Sequence, residues 1–136
     1  MAIDMSQFYQ VFFDESAEHL ASMESLLLSI DIASPDSESL NAIFRAAHSI
    51  KGSSGTFGFN DMAELTHVME SMLDRVRKGE APLDRELVDA CLDAGDVLRN
   101  LLAAHQGDGE ADRDAAAAMR TRLERLAGAM RAADRA

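Results

Sequence analysis

The sequence predicts an all-α fold: an antiparallel up-down four-helix bundle with a fifth C-terminal helix. Three observations predict it. Apolar residues recur every three or four positions along five separate segments, the spacing of one helical face. No segment alternates apolar and polar residues in the way a half-buried strand does. Ala, Leu and Met are frequent, while the 136 residues include only 2 prolines and no Trp, a composition that favours helix.

The first helix is predicted to begin behind Asp4 as N-cap, with Gln7 three residues on as in a capping box. Its stripe is Phe8, Phe12, Leu20, Met23, Leu27 and Ile30, with Val11 and Leu26 beside it. Asp31 to Ser34 break the pattern. "SPDSE" restarts it, with Ser34 read as N-cap and Pro35 as the first helical residue. Leu40, Ile43, Ala47, Ile50 and Ser54 line one face of this second helix, which fades near Phe57 and Gly58. Asn60 is read as the cap of a third helix with the stripe Met62, Leu65, Met69, Met72 and Val76. "RKGEAP" ends it, with basic residues in the last turn and Gly79 just beyond. Asp84 caps a fourth helix striped by Leu87, Cys91, Ala94, Leu98 and Leu101. After the break "HQGDGEAD", an Ala- and Arg-rich fifth helix from about Asp112 has a narrow seam of Met119, Leu123, Leu126 and Met130. It is expected to pack outside the core or to lead into an interdomain linker.

The length suits one domain, read as residues 1–136, with a four-helix core over about 4–106 and an accessory helix over about 112–132. The formal net charge is −11, from 24 acidic and 13 basic side chains. That balance argues against nucleic acid, whose binding needs a basic footprint, and against an anionic membrane surface. No run of apolar residues is long enough to span a bilayer, and "MAIDMSQFYQ" has neither part of a signal peptide. The single cysteine, Cys91, suits a reducing, cytoplasmic location.

The segment "FRAAHSIKGSSGTFGF", residues 44 to 59, holds the most informative chemistry. Gly52 and Gly55 sit where helix propensity alone would disfavour them by about 0.5–1 kcal/mol each. On a helical wheel His48 lies about 100° from the core direction, with Gly55 almost in line with it and Gly52 about 40° beyond. The imidazole therefore has bare backbone beside it, and Lys51 follows one turn on. In the third helix, "THVMESML" places His67 and Glu70 on one face, three residues apart. A carboxylate that accepts one ring N–H of a histidine fixes its tautomer and leaves the other nitrogen as a nucleophile. Glu70 is the candidate for that part. A histidine on a helix is ordinarily a boundary residue, and His19 and His105 are read in that way.

"AAHSIKGSSGTFGF" resembles the H-x-x-K-G motif of histidine-containing phosphotransfer (HPt) domains. "DMSQFYQVFFDE", "LNAIFRAAHSIKGSSGTFGF" and "LTHVMESMLD" are similar to the phosphotransfer domain at the N-terminus of the CheA family of chemotaxis histidine kinases. The likeness covers roughly the first 105 residues. It implies a phosphocarrier in which His48 receives phosphate from the CheA kinase (ATP-binding) domain and passes it to an aspartate of a CheY-like response regulator. It further implies supporting parts for Lys51, Glu70 and His67, with Lys51 stabilising phosphate and His67 making secondary hydrogen bonds. Gly52, Gly55, Ser49 and Arg45 would form the face on which partners dock. No cofactor or metal is expected in this domain: ATP and Mg belong to the kinase domain, and Mg to the regulator.

The chain has no recognisable ATP-binding segment and is too short to hold one beside the bundle, so it is read as a segment of a CheA-type kinase or as a stand-alone carrier, and the linker-like last helix favours the segment. A phosphate-binding glycine-rich loop at "GSSGTFG" is discounted, because such a loop follows a strand and carries its lysine after the last glycine, whereas Lys51 precedes the glycines and no strand is predicted. Two other readings compete. A metal-binding bundle would need Glu-x-x-His on two helices, and here one His-x-x-Glu stands alone. A purely structural interaction module is the other.

Overall fold

The computed structural model describes residues 5–134, and among them every regular element is a helix. These are α1 (Ser6–Ser29), α2 (Ser37–Thr56), α3 (Asn60–Arg77), α4 (Arg85–His105) and α5 (Arg113–Asp134). In the first four, α1 packs on α2, α2 on α3, α3 on α4 and α4 on α1, which closes a ring; α5 lies outside it, against α3 and α4. Cross-helix pairs give the directions. Phe12 near the start of α1 meets Phe57 just past α2, and Lys51 late in α2 meets Glu70 midway along α3. Asp61 at the start of α3 meets His105 at the end of α4. Each neighbour is therefore antiparallel to the last. Arg120 reaches Glu64 at 2.7 Å and Arg122 reaches Asp93 at 2.6 Å, so α5 runs parallel to α3 across the outside.

The stripes read from the second, third and fourth helices are buried throughout, and Met119 and Leu123 of α5 join them. Leu126 and Met130 of that seam are only partly buried. Two positions of the first stripe depart from expectation. Phe8 is 54% exposed and Val11 53%, because the rim of the core is filled instead by Phe12, Phe13, Phe57 and Phe59, whose ring centroids lie 5.1–6.0 Å apart where they pair.

Two helix starts also differ, and the expected cap of the first helix falls at the edge of the described residues. Asp4 lies outside the described residues; Met5 holds the capping position of α1 without a side-chain cap bond. The cap of α2 is Asp36, whose Oδ1 accepts the Ser39 N–H at 2.9 Å, not Ser34. Asp31 already draws in the amides of Ala33 and Ser34 at 3.1 and 3.4 Å, which extends the turn by two residues. Asn60 is the first residue of α3 rather than its cap. Phe59 takes that place with its ring in the aromatic rim, and Asp61 accepts the Met62 amide at 2.7 Å. Asp84 caps α4 as expected, accepting the Leu87 N–H at 2.8 Å.

The end of α2 sets the edge of the functional face. Gly58 has φ +81, and Phe59 N–H and Gly58 N–H donate to the carbonyls of Ser54 and Gly55 at 2.9 and 3.2 Å. This is the closure that a left-handed glycine permits. No described helix is long and apolar enough to cross a membrane.

Candidate functional site

Helix α2 buries Ile43, Ala46, Ala47, Ile50 and Ser54. Its outward positions are therefore Arg45, His48, Gly52 and Gly55, with Phe44, Ser49 and Lys51 at the boundary. The His48 side chain is 61% exposed. Its Nδ1 edge faces α3, where Glu70 Oε2 lies 3.3 Å away. The same oxygen lies 2.7 Å from Lys51 Nζ. Glu70 is only 15% exposed, so one largely covered carboxylate oxygen gathers both groups of α2. Burial pushes the Glu70 carboxyl up, but Lys51 and then His48 pull it down by more, and the net direction is below the ordinary glutamate value. Glu70 is thereby kept as an anion, able to accept a ring N–H.

The ring is steadied from its other side. Phe44, one turn earlier, stacks on His48 with centroids 5.9 Å apart and planes 19° from parallel. The guanidinium of Arg77 lies 4.0 Å over the Phe44 ring. Arg77 is in turn fixed by Asp74, with Nε and Nη2 each 2.7 Å from Oδ1. Asp74, Arg77, Phe44 and His48 thus form a continuous stack from α3 onto α2. Sequence reasoning missed it, although Phe44 stands four residues before His48 and so on the same face.

With Nδ1 turned to Glu70, Nε2 points away from it. On that side α1 and α2 enclose an open hollow of about 460 Å³, lined by Glu15, His19, His48, Ser49, Gly52, Ser53, Thr56 and Phe57. Gly52 and Gly55 keep its margin bare: a β-carbon at either would meet nothing within 4 Å. A second, more apolar hollow adjoins it at Thr56 and Phe57 and is lined by Met5, Phe8 and Tyr9. The exposed Phe8 therefore belongs to the surface that flanks His48.

The remaining expected residues are placed less tightly. His67 is exposed one turn before Glu70. Among the described residues no hydrogen bond or ion pair joins its ring to His48 or Glu70. Arg45 is exposed on α2. Among the described residues no cluster of three or more His, Cys, Asp or Glu side chains is placed to hold a metal ion. Cys91 is fully buried in α4, where loss of solvation pushes its thiol up to about 12.

Comparison with known proteins bears on this arrangement. The Hpt domain family profile matches residues 7–129. The chain is 50% identical over 112 residues to the chemotaxis protein CheA of Salmonella typhimurium, covering 82% of this chain and 17% of that protein. It is 38% identical over 112 residues to CheA of Bacillus subtilis, with the same coverage. The chain thus spans about a sixth of the length of these relatives. A solved structure of the phosphorylated P1 domain of CheA3 in complex with CheY6, from R. sphaeroides, superposes with a TM-score of 0.78. It is 26% identical and covers 88% of this chain and 94% of that one. A five-helix fold with an exposed histidine on α2, a profile match across nearly the whole chain and half-identity to a CheA sequence converge: the chain belongs to the Hpt domain family.

Proposed function

We propose that the chain is the histidine phosphocarrier of a two-component chemotaxis system, cycling a phosphoryl group through His48 Nε2. The observation that carries this reading is the division of the imidazole between two environments. Nδ1 faces a covered carboxylate, while Nε2 faces an open surface cleared by glycines. In the first step the Nε2 lone pair attacks the γ-phosphorus of ATP held by a CheA-type kinase domain. The new N–P bond forms as the bond to the ADP oxygen breaks. Nδ1 keeps its proton and offers it to Glu70, which offsets positive charge developing on the ring. The 3.3 Å separation is long for a hydrogen bond, and such contacts commonly tighten in the reacting complex. In the second step a carboxylate of a CheY-like response regulator attacks the phosphorus, the N–P bond breaks, and neutral His48 is restored. ATP and Mg are supplied by the kinase domain, and Mg by the regulator.

In this reading Lys51 acts chiefly by holding Glu70 as an anion, its ammonium lying on the same Glu70 oxygen that the ring Nδ1 faces. His67 gives secondary support from α3. Gly52, Gly55, Ser49 and Arg45 form the docking face, extended by Met5, Phe8 and Phe57. The four-helix ring and α5 act as one unit in the cytoplasm, as a segment of a histidine protein kinase. The resemblance to a CheA3 P1 domain captured with CheY6 supports the choice of acceptor.

The test is incubation of the chain with a CheA kinase domain and γ-labelled ATP, followed by addition of a receiver domain. Label should be acid-labile and base-stable, absent from His48→Gln, and lost to the receiver on mixing. Label that persists in His48→Gln, or that resists acid, would overturn the assignment.

A further inference from the structure

The hollow beside His48 contains a second imidazole for which the carrier chemistry above has no use. His19 is half-buried on α1 and lines the cavity together with His48, Ser49 and Ser53 of α2. Among the described residues its side chain has no hydrogen bond or ion pair. Two cations stand three residues from His48: Lys51 is drawn to Glu70 at 2.7 Å, on the Nδ1 edge of the ring, and Arg45 is exposed and does not line the hollow. No Lys or Arg lines the hollow that Nε2 faces, so His19 is the basic group on that side.

We propose that His19 is a further residue of the phosphoryl site, its imidazolium N–H contacting the oxygens of the phosphoryl group on His48 across the hollow between α1 and α2. The need for such a group follows from the charge involved. Once the kinase has left and before a regulator arrives, the phosphoryl oxygens have no partner-bound metal beside them. The protein around them carries a formal charge of −11. A group that gains a proton and donates it to an anion is what a histidine supplies near neutral pH. Glu15 stands four residues before His19 and lines the same hollow. Glu15 would repel the phosphoryl group, and the donors that line the hollow are His19 and the hydroxyls of Ser49 and Ser53. Thr56 is already engaged, donating its hydroxyl to the Gly52 carbonyl at 2.9 Å. The inference rests on His48 being the phosphorylated residue.

The experiment is a pH titration of the imidazole resonances by nitrogen-detected NMR on the chain, before and after phosphorylation by the kinase domain. Two charges in contact near a protein surface interact by several kcal/mol, whereas the same charges about 10 Å apart in water interact by well under one. Contact therefore predicts that the His19 pKa rises by about one pH unit or more on phosphorylation. The same kinase mixture should leave His19 of His48→Gln unchanged. In parallel, the phosphorus resonance of the parent should show a titration that disappears in His19→Asn. A smaller rise in the His19 pKa, or a phosphorus titration that survives in His19→Asn, overturns the proposal while leaving His48 as the carrier. Absence of any phosphohistidine signal overturns the carrier reading itself, and this inference with it.

Discussion

At the scale of single residues, Glu70 holds the site together, because one of its oxygens serves both His48 and Lys51. Replacing it with Ala should slow phosphorylation of His48 by one to a few powers of ten, the range in which positioned proton acceptors act. Stopped-time labelling with the kinase domain measures this, and a parent-like rate would remove Glu70 from the mechanism. Lys51 offers a sharper test, because the causes acting on Glu70 oppose one another. Burial is the largest and pushes the carboxyl up; Lys51 and His48 together reverse it. In Lys51→Met the balance tips, and the Glu70 pKa should move from below the ordinary glutamate value toward or above it. The sign for stability follows. In the parent the depressed carboxyl stabilises the fold above the unfolded pKa and loses that contribution as pH falls through the folded one. In the variant this loss should begin at higher pH. Carbon-detected titration of the Glu70 carboxyl in both proteins reads the shift directly, and an unchanged value would mean that Lys51 does not govern it.

At the scale of the helix, α2 carries two kinds of glycine that answer differently to substitution. Gly52 is helical, with open space around it. Gly52→Gln should therefore leave stability in urea equal to the parent or raise it by up to about 1 kcal/mol, while transfer to the regulator falls. Full-rate transfer would move docking to another face. Gly58 sits at φ +81 in the closure of the helix, and Gly58→Ala should cost about 1–2 kcal/mol. Between them, Ser54 is fully buried and its hydroxyl has no partner among the described residues. Ser54→Ala should therefore be neutral or stabilising by about 1 kcal/mol in the same urea assay. The stripes of α2, α3 and α4 were legible because their periodicity reports directly which residues face inward. The helix starts at Asp36 and Phe59 were not, because the choice among neighbouring cap candidates depends on local bonds such as those Asp31 makes to Ala33 and Ser34. Phe8 was misread for a related reason: spacing places a residue on a face, but which aromatic fills the rim is a matter of volume. At the site, His48, Lys51 and Glu70 were legible from spacing on two helices. The Asp74–Arg77–Phe44 stack was not, since it depends on how α2 and α3 are set against each other.

At the scale of the whole molecule, the core is one shared interior to which all five helices contribute, so opening any part of it around α4 should need nearly global unfolding. Cys91 reports on that. It is completely buried between its neighbours, with its thiol raised to about 12. Its alkylation at neutral pH should run at least about a thousandfold slower than in the urea-unfolded chain, as expected for a domain of ordinary stability. Faster labelling would reveal local opening of α4. The raised thiol also sets a sign: its contribution is fully present below the unfolded pKa and is lost as pH climbs toward 12.

The two faces of α1 have a consequence for how a carrier of the proposed kind could diversify. Phe12, Leu20, Met23 and Leu27 face the interior, while Phe8, Glu15 and His19 border the surface beside His48. His48 and the carboxylate behind it lie on α2 and α3. Under the proposed function, part of the partner-facing surface thus lies on a helix that does not carry His48. A change at Phe8, on the outer side of α1, would then alter partner recognition while leaving the interior and His48 as they are.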